Sequence, residues 1–137
     1  MGITLRGRMA SRGKAEGEAL VCSKPFEFRH IDPKSGIIDV PGHELEGQDA
    51  KDKIMVFPCG CGPTTEEWAL YELKKAGVAP KAVVNISTYV CSTIGAIIAE
   101  VPMVYGFDRN LLEVIKTGDR VKVDADKGLV KVTKKAR

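Results

Sequence analysis

Ile54-Met55-Val56-Phe57-Pro58-Cys59-Gly60-Cys61-Gly62-Pro63-Thr64-Thr65 is the stretch from which the rest of this chain is read. Its first four residues are apolar without polar alternation, which predicts a strand buried on both faces. The glycines that follow let the backbone turn sharply and come close to a ligand. A helical pattern starts near Glu66, and the free N–H groups at a helix start favour an anion. Such a strand-to-helix turn is a candidate site, with Gly60 and Gly62 as backbone that a substrate can approach.

Downstream, the spacing predicts a helix over residues 65–76. Thr64 and Glu67 have capping-box spacing, Ala69, Leu73 and Ala76 form part of an apolar stripe with Leu70 beside it, and Gly77 marks the stop. A short strand over 82–84 follows, then a helix over 89–99 ending before Pro102, and a strand over 103–105. Asp108 is placed to cap a third helix over 109–116, closed by Thr117-Gly118. Two alternating runs, 120–124 and 129–133, flank Asp126-Lys127-Gly128 as a hairpin.

Upstream, residues 3–9 and 18–22 read as strands around a bend at 13–17. Asp32-Pro33-Lys34-Ser35-Gly36 reads as a turn leading into an apolar run over 37–40. The order is β-rich, then alternating strands and helices, then a hairpin. A mixed α/β domain satisfies it, with a small barrel-like sheet at the core and helices flanking it.

The chain has 137 residues, 44% of them hydrophobic, enough for one core and one domain spanning 1–137. The net charge of +3 gathers at the two ends, where Arg6, Arg8, Arg12 and Lys14 face Lys131, Lys134, Lys135 and Arg137 in the order of the chain. Aromatic residues are not interleaved with these positions, so no nucleic acid partner is expected. No apolar run reaches the roughly 20 residues of a membrane span, and the start lacks the apolar core of a signal peptide. A cytoplasmic protein with no membrane partner is expected.

Cys22, Cys59, Cys61 and Cys91 are too few and too scattered for a secreted disulfide framework. Cys59 and Cys61 could supply two thiolates to a metal, with Cys22 or Cys91 as a distant third, but C-x-C is a weaker signal than paired C-x-x-C. Cys91 lies in an apolar helical run with Val90, Ile94, Ile97 and Ile98, which predicts a packed thiol. Trp68, Tyr71 and Tyr89 read as core or interface. His30 and His43 have no ligand spacing, and neither a G-x-S-x-G elbow nor a P-loop is present.

Six ordered blocks carry a family resemblance: Gly13-Lys14-Ala15-Glu16-Gly17-Glu18-Ala19-Leu20; Ile31-Asp32 with Gly36; His43-Glu44-Leu45-Glu46-Gly47-Gln48; Gly77-Val78-Ala79-Pro80-Lys81-Ala82; Gly95-Ala96-Ile97 with Glu100-Val101-Pro102; and Lys116-Thr117-Gly118-Asp119-Arg120. Over roughly residues 5–132 the chain resembles the small-subunit, or swivel-domain, family of aconitase X. The resemblance implies a swivelling β/β/α domain that closes over the active site of a larger subunit carrying an iron–sulfur cluster, with no cofactor in this chain. It further implies a hydro-lyase acting on a small anionic hydroxy acid. Archaeal members dehydrate mevalonate 5-phosphate, in isoprenoid biosynthesis, and some bacterial members dehydrate cis-3-hydroxy-L-proline.

The chain departs from that family at the loop. Where the family has glycine, a basic residue, glycine, serine, then serine or threonine, this sequence has Gly60, Cys61, Gly62, Pro63 and Thr64. Pro63 stands where the resemblance puts a serine base, and proline has neither an acidic side chain nor an N–H to donate. Thr64, or Thr65, is one candidate for the base, although the same spacing suits Thr64 as a helix cap. Cys61 is another, through the lowered thiol pKa expected beside a helix N-terminus. Arg29 and His30 replace paired glycines of the family ahead of Asp32, and together these three are candidates for binding a carboxylate or phosphate. Two further readings stay open: a structural or regulatory swivel domain without catalysis, and a cysteine-based metal or redox domain.

Overall fold

The structure, a computed structural model, describes residues 2–136. In chain order its strands are β1 Gly2–Arg6, β2 Arg8–Ser11, β3 Lys14–Val21, β4 Ile54–Phe57, β5 Ala82–Asn85, β6 Met103–Tyr105, β7 Arg120–Asp124 and β8 Leu129–Thr133. The helices are α1 Glu66–Lys75, α2 Val90–Ala99 and the single turn α3 Leu111–Val114. The strands form one mixed sheet in the order β1-β8-β7-β3-β4-β5-β6-β2. β1 and β2 lie at its opposite ends but are separated in the chain by Gly7 alone, so the sheet curls until its two edges meet. Gly7 N–H donates to Gly128 O at 2.8 Å where the chain passes from one edge to the other.

β3 joins the two halves. Lys14 to Glu18 pair antiparallel with β7, and Ala19 to Val21 pair parallel with β4. β3, β4, β5 and β6 then run parallel, with α1 and α2 as the crossovers between β4 and β5 and between β5 and β6. Successive right-handed crossovers stepping the same way put both helices on one face of the sheet, where they pack against each other.

The period-two alternation of the parallel strands feeds two cores. Met55, Phe57, Val83 and Met103 point to the helices, joining Leu70, Leu73, Ala96 and Ala99 and the Phe26, Phe28, Ile31 and Ile38 side chains of the long β3–β4 connection. Ile54, Val56, Ala82, Val84 and Val104 point the other way, into the interior closed by Leu5, Val121, Val123, Val130 and Val132, with Leu111, Val114 and Ile115 against it. This is why residues 54–57 carry no polar alternation: both faces of β4 are dry.

The expected strand over 3–9 is two strands, because the backbone changes ladder at Gly7. The strand expected over 18–22 begins at Lys14, and its Gly17 is paired with Val121 rather than bent. Residues 37–40 make isolated bridges, Ile37 with Asp49 and Ile38 with Ile31, instead of a ladder. The third helix is one turn and not 109–116: Asn110 caps it, accepting from Leu112 N at 3.1 Å, and Ile115 leaves helical geometry to enter the barrel interior. Asp108, expected as that cap, accepts from Arg6 N instead.

Candidate functional site

Pro58 follows the C-terminal end of β4, and the loop after it lies at the edge of the parallel sheet where ligands of α/β proteins collect. Two neighbours clamp it. Phe26 forms a parallel bridge with Gly60 and donates from its N–H to Cys59 O at 3.1 Å. On the other side Tyr89 donates its hydroxyl to Gly62 O. The glycines are required by close approach: a Cβ on Gly60 would lie 2.8 Å from Ser92 Cβ, and one on Gly62 would lie 2.8 Å from Glu27 Cδ. Gly62 also has φ of 103°, which L side chains rarely adopt.

Thr64 and Glu67 do not form the expected capping box. Glu66 N, Glu67 N and Trp68 N already donate to the carbonyls of Pro63, Thr64 and Thr65 at 3.0, 3.1 and 3.1 Å. Thr65 has helical angles, φ −60° and ψ −16°, and its side chain takes no hydrogen bond from the helix start. Both threonines are exposed, so their hydroxyls are presented outward at the start of α1.

Glu66 carries no functional signal in the sequence, where it marks only the start of the helical pattern. It is completely buried. Its Oε2 accepts from Phe28 N at 3.0 Å and its Oε1 from Arg29 N at 3.1 Å, tying α1 to the 3-10 turn Phe28–His30. Burial pushes its carboxyl up to about 7, with Glu27 adding to the rise, against the lowering by the two N–H donors and by Arg29. Glu27 is the second residue without a sequence signal. It pairs with His30 Nε2 at 3.1 Å and Arg29 at 3.7 Å while packing on Gly62.

Burial, together with these carboxyls, reverses the expectation for Cys61. Its thiol is raised above the ordinary 9.0, by burial first and then by Glu27 and Glu66, so it stays protonated at neutral pH. Arg29 is exposed and lines a hollow of about 270 Å³ with Thr65, Trp68, Ala69 and Glu72. His30 instead turns into an aromatic cluster, with its ring centroid 5.8 Å from Phe26 and 5.2 Å from His43, and its Nδ1 is buried without a partner. Asp32 stays in its own turn, accepting from Lys34 N at 3.0 Å and Ser35 Oγ at 3.1 Å. The structure therefore brings Gly60, Cys61, Gly62, Thr65 and Arg29 together around Glu27 and Glu66, with Thr64 beside them in the chain, and leaves Asp32 in a local role.

A cleft of about 560 Å³ lies between Lys14, Asp52, Lys74, Lys81 and Glu100, near the starts of β4, β5 and β6, at the opposite edge of the sheet. Metal donors do not converge at either edge. Cys22 and Cys91 are buried, Cys22 Sγ is 3.7 Å from Glu44 Oε1, and among the described residues no three of His, Cys, Asp and Glu are grouped to hold a metal ion. The described side chains thus do not gather the donors of an iron–sulfur cluster. Among the described residues no helix is long and apolar enough to cross a membrane.

Comparison with known proteins gives this geometry a family. The family profile of the aconitase X swivel domain matches residues 4–132. The phosphomevalonate dehydratase small subunit of Methanococcoides burtonii is 40% identical over 131 residues, covering 95% of this chain and 96% of the relative. That of Thermococcus gammatolerans is 43% identical over 131 residues, covering 95% and 98%. The crystal structure of Thermococcus kodakaraensis aconitase X in its holo-form superposes with a TM-score of 0.89 at 41% identity, over 96% of this chain and 99% of that one. With its barrel-like sheet, its two crossover helices on one face and its glycine loop at the sheet edge, this chain belongs to the aconitase X swivel-domain family.

Proposed function

We propose that this chain is the small subunit of a phosphomevalonate dehydratase, removing water from mevalonate 5-phosphate together with a large subunit. The observation that carries the reading is the near end-to-end match, at about 40% identity, to relatives named as that small subunit. Dehydration breaks one C–H and one C–O bond: a base takes the proton, and the hydroxyl leaves and ends as water. A cluster in the large subunit would supply a Lewis acid for the leaving hydroxyl.

This chain's part is to bind and to move the proton. The exposed Arg29 guanidinium beside Thr65 suits the carboxylate or phosphate of a small anionic hydroxy acid. Thr64 or Thr65, outward and free of the helix cap, takes the place of the missing serine as proton acceptor. Cys61 is the weaker candidate, because its thiol is held protonated. The loop needs a partner to exclude water, which fits a domain that closes over another subunit.

The test is to co-express this chain with the aconitase-X-type large subunit of its own genome, load iron anaerobically, and follow mevalonate 5-phosphate by mass spectrometry. Loss of one water from the substrate, dependent on both chains, is the expected result. A pair that assembles and dehydrates cis-3-hydroxy-L-proline instead would move the substrate assignment. A stable pair without turnover on either would favour a regulatory swivel domain.

A further inference from the structure

α2 is built inside out. Its buried face carries small residues, Cys91, Ser92, Gly95, Ala96 and Ala99, while its large apolar residues face solvent. Val90 is 69% exposed, Ile97 54%, Ile98 39% and Ile94 36%. Positions 90, 94, 97 and 98 are spaced as one helical stripe. The inner face has a physical reason: a Cβ on Gly95 would lie 2.9 Å from Glu67 O, so α1 and α2 approach too closely for larger side chains. The outer face has no such reason within the chain. No Asp, Glu, Lys or Arg occurs between residues 90 and 99, and charge depletion with clustered aliphatics marks the core of an interface.

We infer that this stripe, continued onto β2 by the 51% exposed Met9, is the surface that docks the large subunit. The inference rests on the small-subunit reading above and assigns a face to it. Val90 stands between Tyr89, which bonds Gly62 O, and the residues leading to Ser92, which packs on Gly60. The stripe therefore begins at the glycine loop and runs away from it, to Ile97, which shares a hollow with Met9. A partner seated on it reaches the loop without a gap, as a subunit sharing a substrate with Thr64 or Thr65 must. A second copy of this chain on the same stripe would bring the loop no complementary half of a substrate site, which leaves the large subunit as the occupant.

The test titrates purified large subunit with the wild-type chain and with the Val90→Glu, Ile97→Glu and Lys81→Glu variants, the last lying at the opposite sheet edge, with circular dichroism confirming each fold. Either stripe variant should weaken binding by about 30-fold or more, with Lys81→Glu within about twofold. Hydroxyl-radical footprinting of the wild-type pair needs no substitution and should show Met9 oxidation suppressed in the complex. Wild-type affinity in both stripe variants, with Met9 unprotected, overturns the assignment of the face while leaving the small-subunit reading intact. So does a homodimer of this chain that the stripe variants dissociate while binding of the large subunit is unchanged. Failure of the wild-type chain to bind any large subunit overturns the function reading itself, and the face with it.

Discussion

Glu66→Gln gives the sharpest test of the buried carboxyl at the candidate site. In the folded chain Glu66 holds its proton up to about pH 7, against an ordinary 4.5 in the unfolded chain. A group raised in this way stabilises the fold fully below pH 4.5, and that stability is lost as pH rises through 7. At about 1.4 kcal/mol per pH unit, the loss is roughly 3 kcal/mol between pH 4.5 and 8. Glutamine does not titrate, and it keeps one acceptor while setting its amide NH₂ against the second of the N–H donors of Phe28 and Arg29. At pH 4.5 the variant should therefore be less stable by about 1 kcal/mol. By pH 8 the order should invert, with the variant more stable by about 2 kcal/mol. The assay is urea denaturation of both proteins at half-unit steps from pH 4.5 to 8.5, read as the difference between them so that other titrations cancel. A difference flat to within about 0.5 kcal/mol would mean that the carboxyl titrates alike in the folded and unfolded chains, and the burial argument would fall.

Other outcomes follow from single contacts. Thr64→Ala and Thr65→Ala, assayed in the reconstituted pair, should split: the one that removes the base lowers kcat about 100-fold or more with KM little changed. Neither should lose the roughly 1 kcal/mol of a true helix cap in denaturation of the isolated chain, since the Thr65 side chain makes no cap bond. Full kcat in both variants would remove threonine from the chemistry. Gly60→Ala should destabilise by about 1–3 kcal/mol, because the new methyl meets Ser92 and Tyr89 at the start of α2; an unchanged melting profile would contradict that packing. The buried Asp119 carboxyl, which burial alone would raise, is brought down to about 2 by the hydrogen bonds from Lys134 Nζ, Lys135 N and Lys116 N. Its stabilisation, about 2 kcal/mol from an ordinary 3.8, is present above pH 4 and lost as pH falls through 2. Asp119→Asn should cost about that much at pH 7 in denaturation, with the gap closing toward pH 2.

Part of the fold is legible because it depends on near neighbours. The dry strand Ile54–Phe57, the stop of α1 at Gly77 and the hairpin of Arg120–Asp124 and Leu129–Thr133 each follow from a periodicity or a turn that a few residues carry. The break at Gly7 is different, because nothing in residues 3–9 records that the sheet curls and that the chain must change ladder there. The same holds for the site. Gly60 and Gly62 are conspicuous in sequence, whereas Glu27 and Glu66 look like ordinary surface charge until the fold packs Glu27 on Gly62 and brings the Phe28–His30 turn over Glu66.

By itself the sequence determined the alternation of strands and helices from Ile54 to Tyr105, the closing hairpin, the strand-to-helix loop and the likeness to the aconitase X swivel domain, since all of these are local patterns or ordered blocks. Only the tertiary structure decided that Thr64 and Thr65 present their hydroxyls outward, that Glu66 turns inward, that burial, with Glu27 and Glu66 nearby, raises the Cys61 thiol, and that α2 shows its large apolar side chains to solvent. The reason is physical: a side chain's direction and its proton affinity depend on what packs against it. Those neighbours come from distant segments, such as Phe28 against Glu66, 38 positions away.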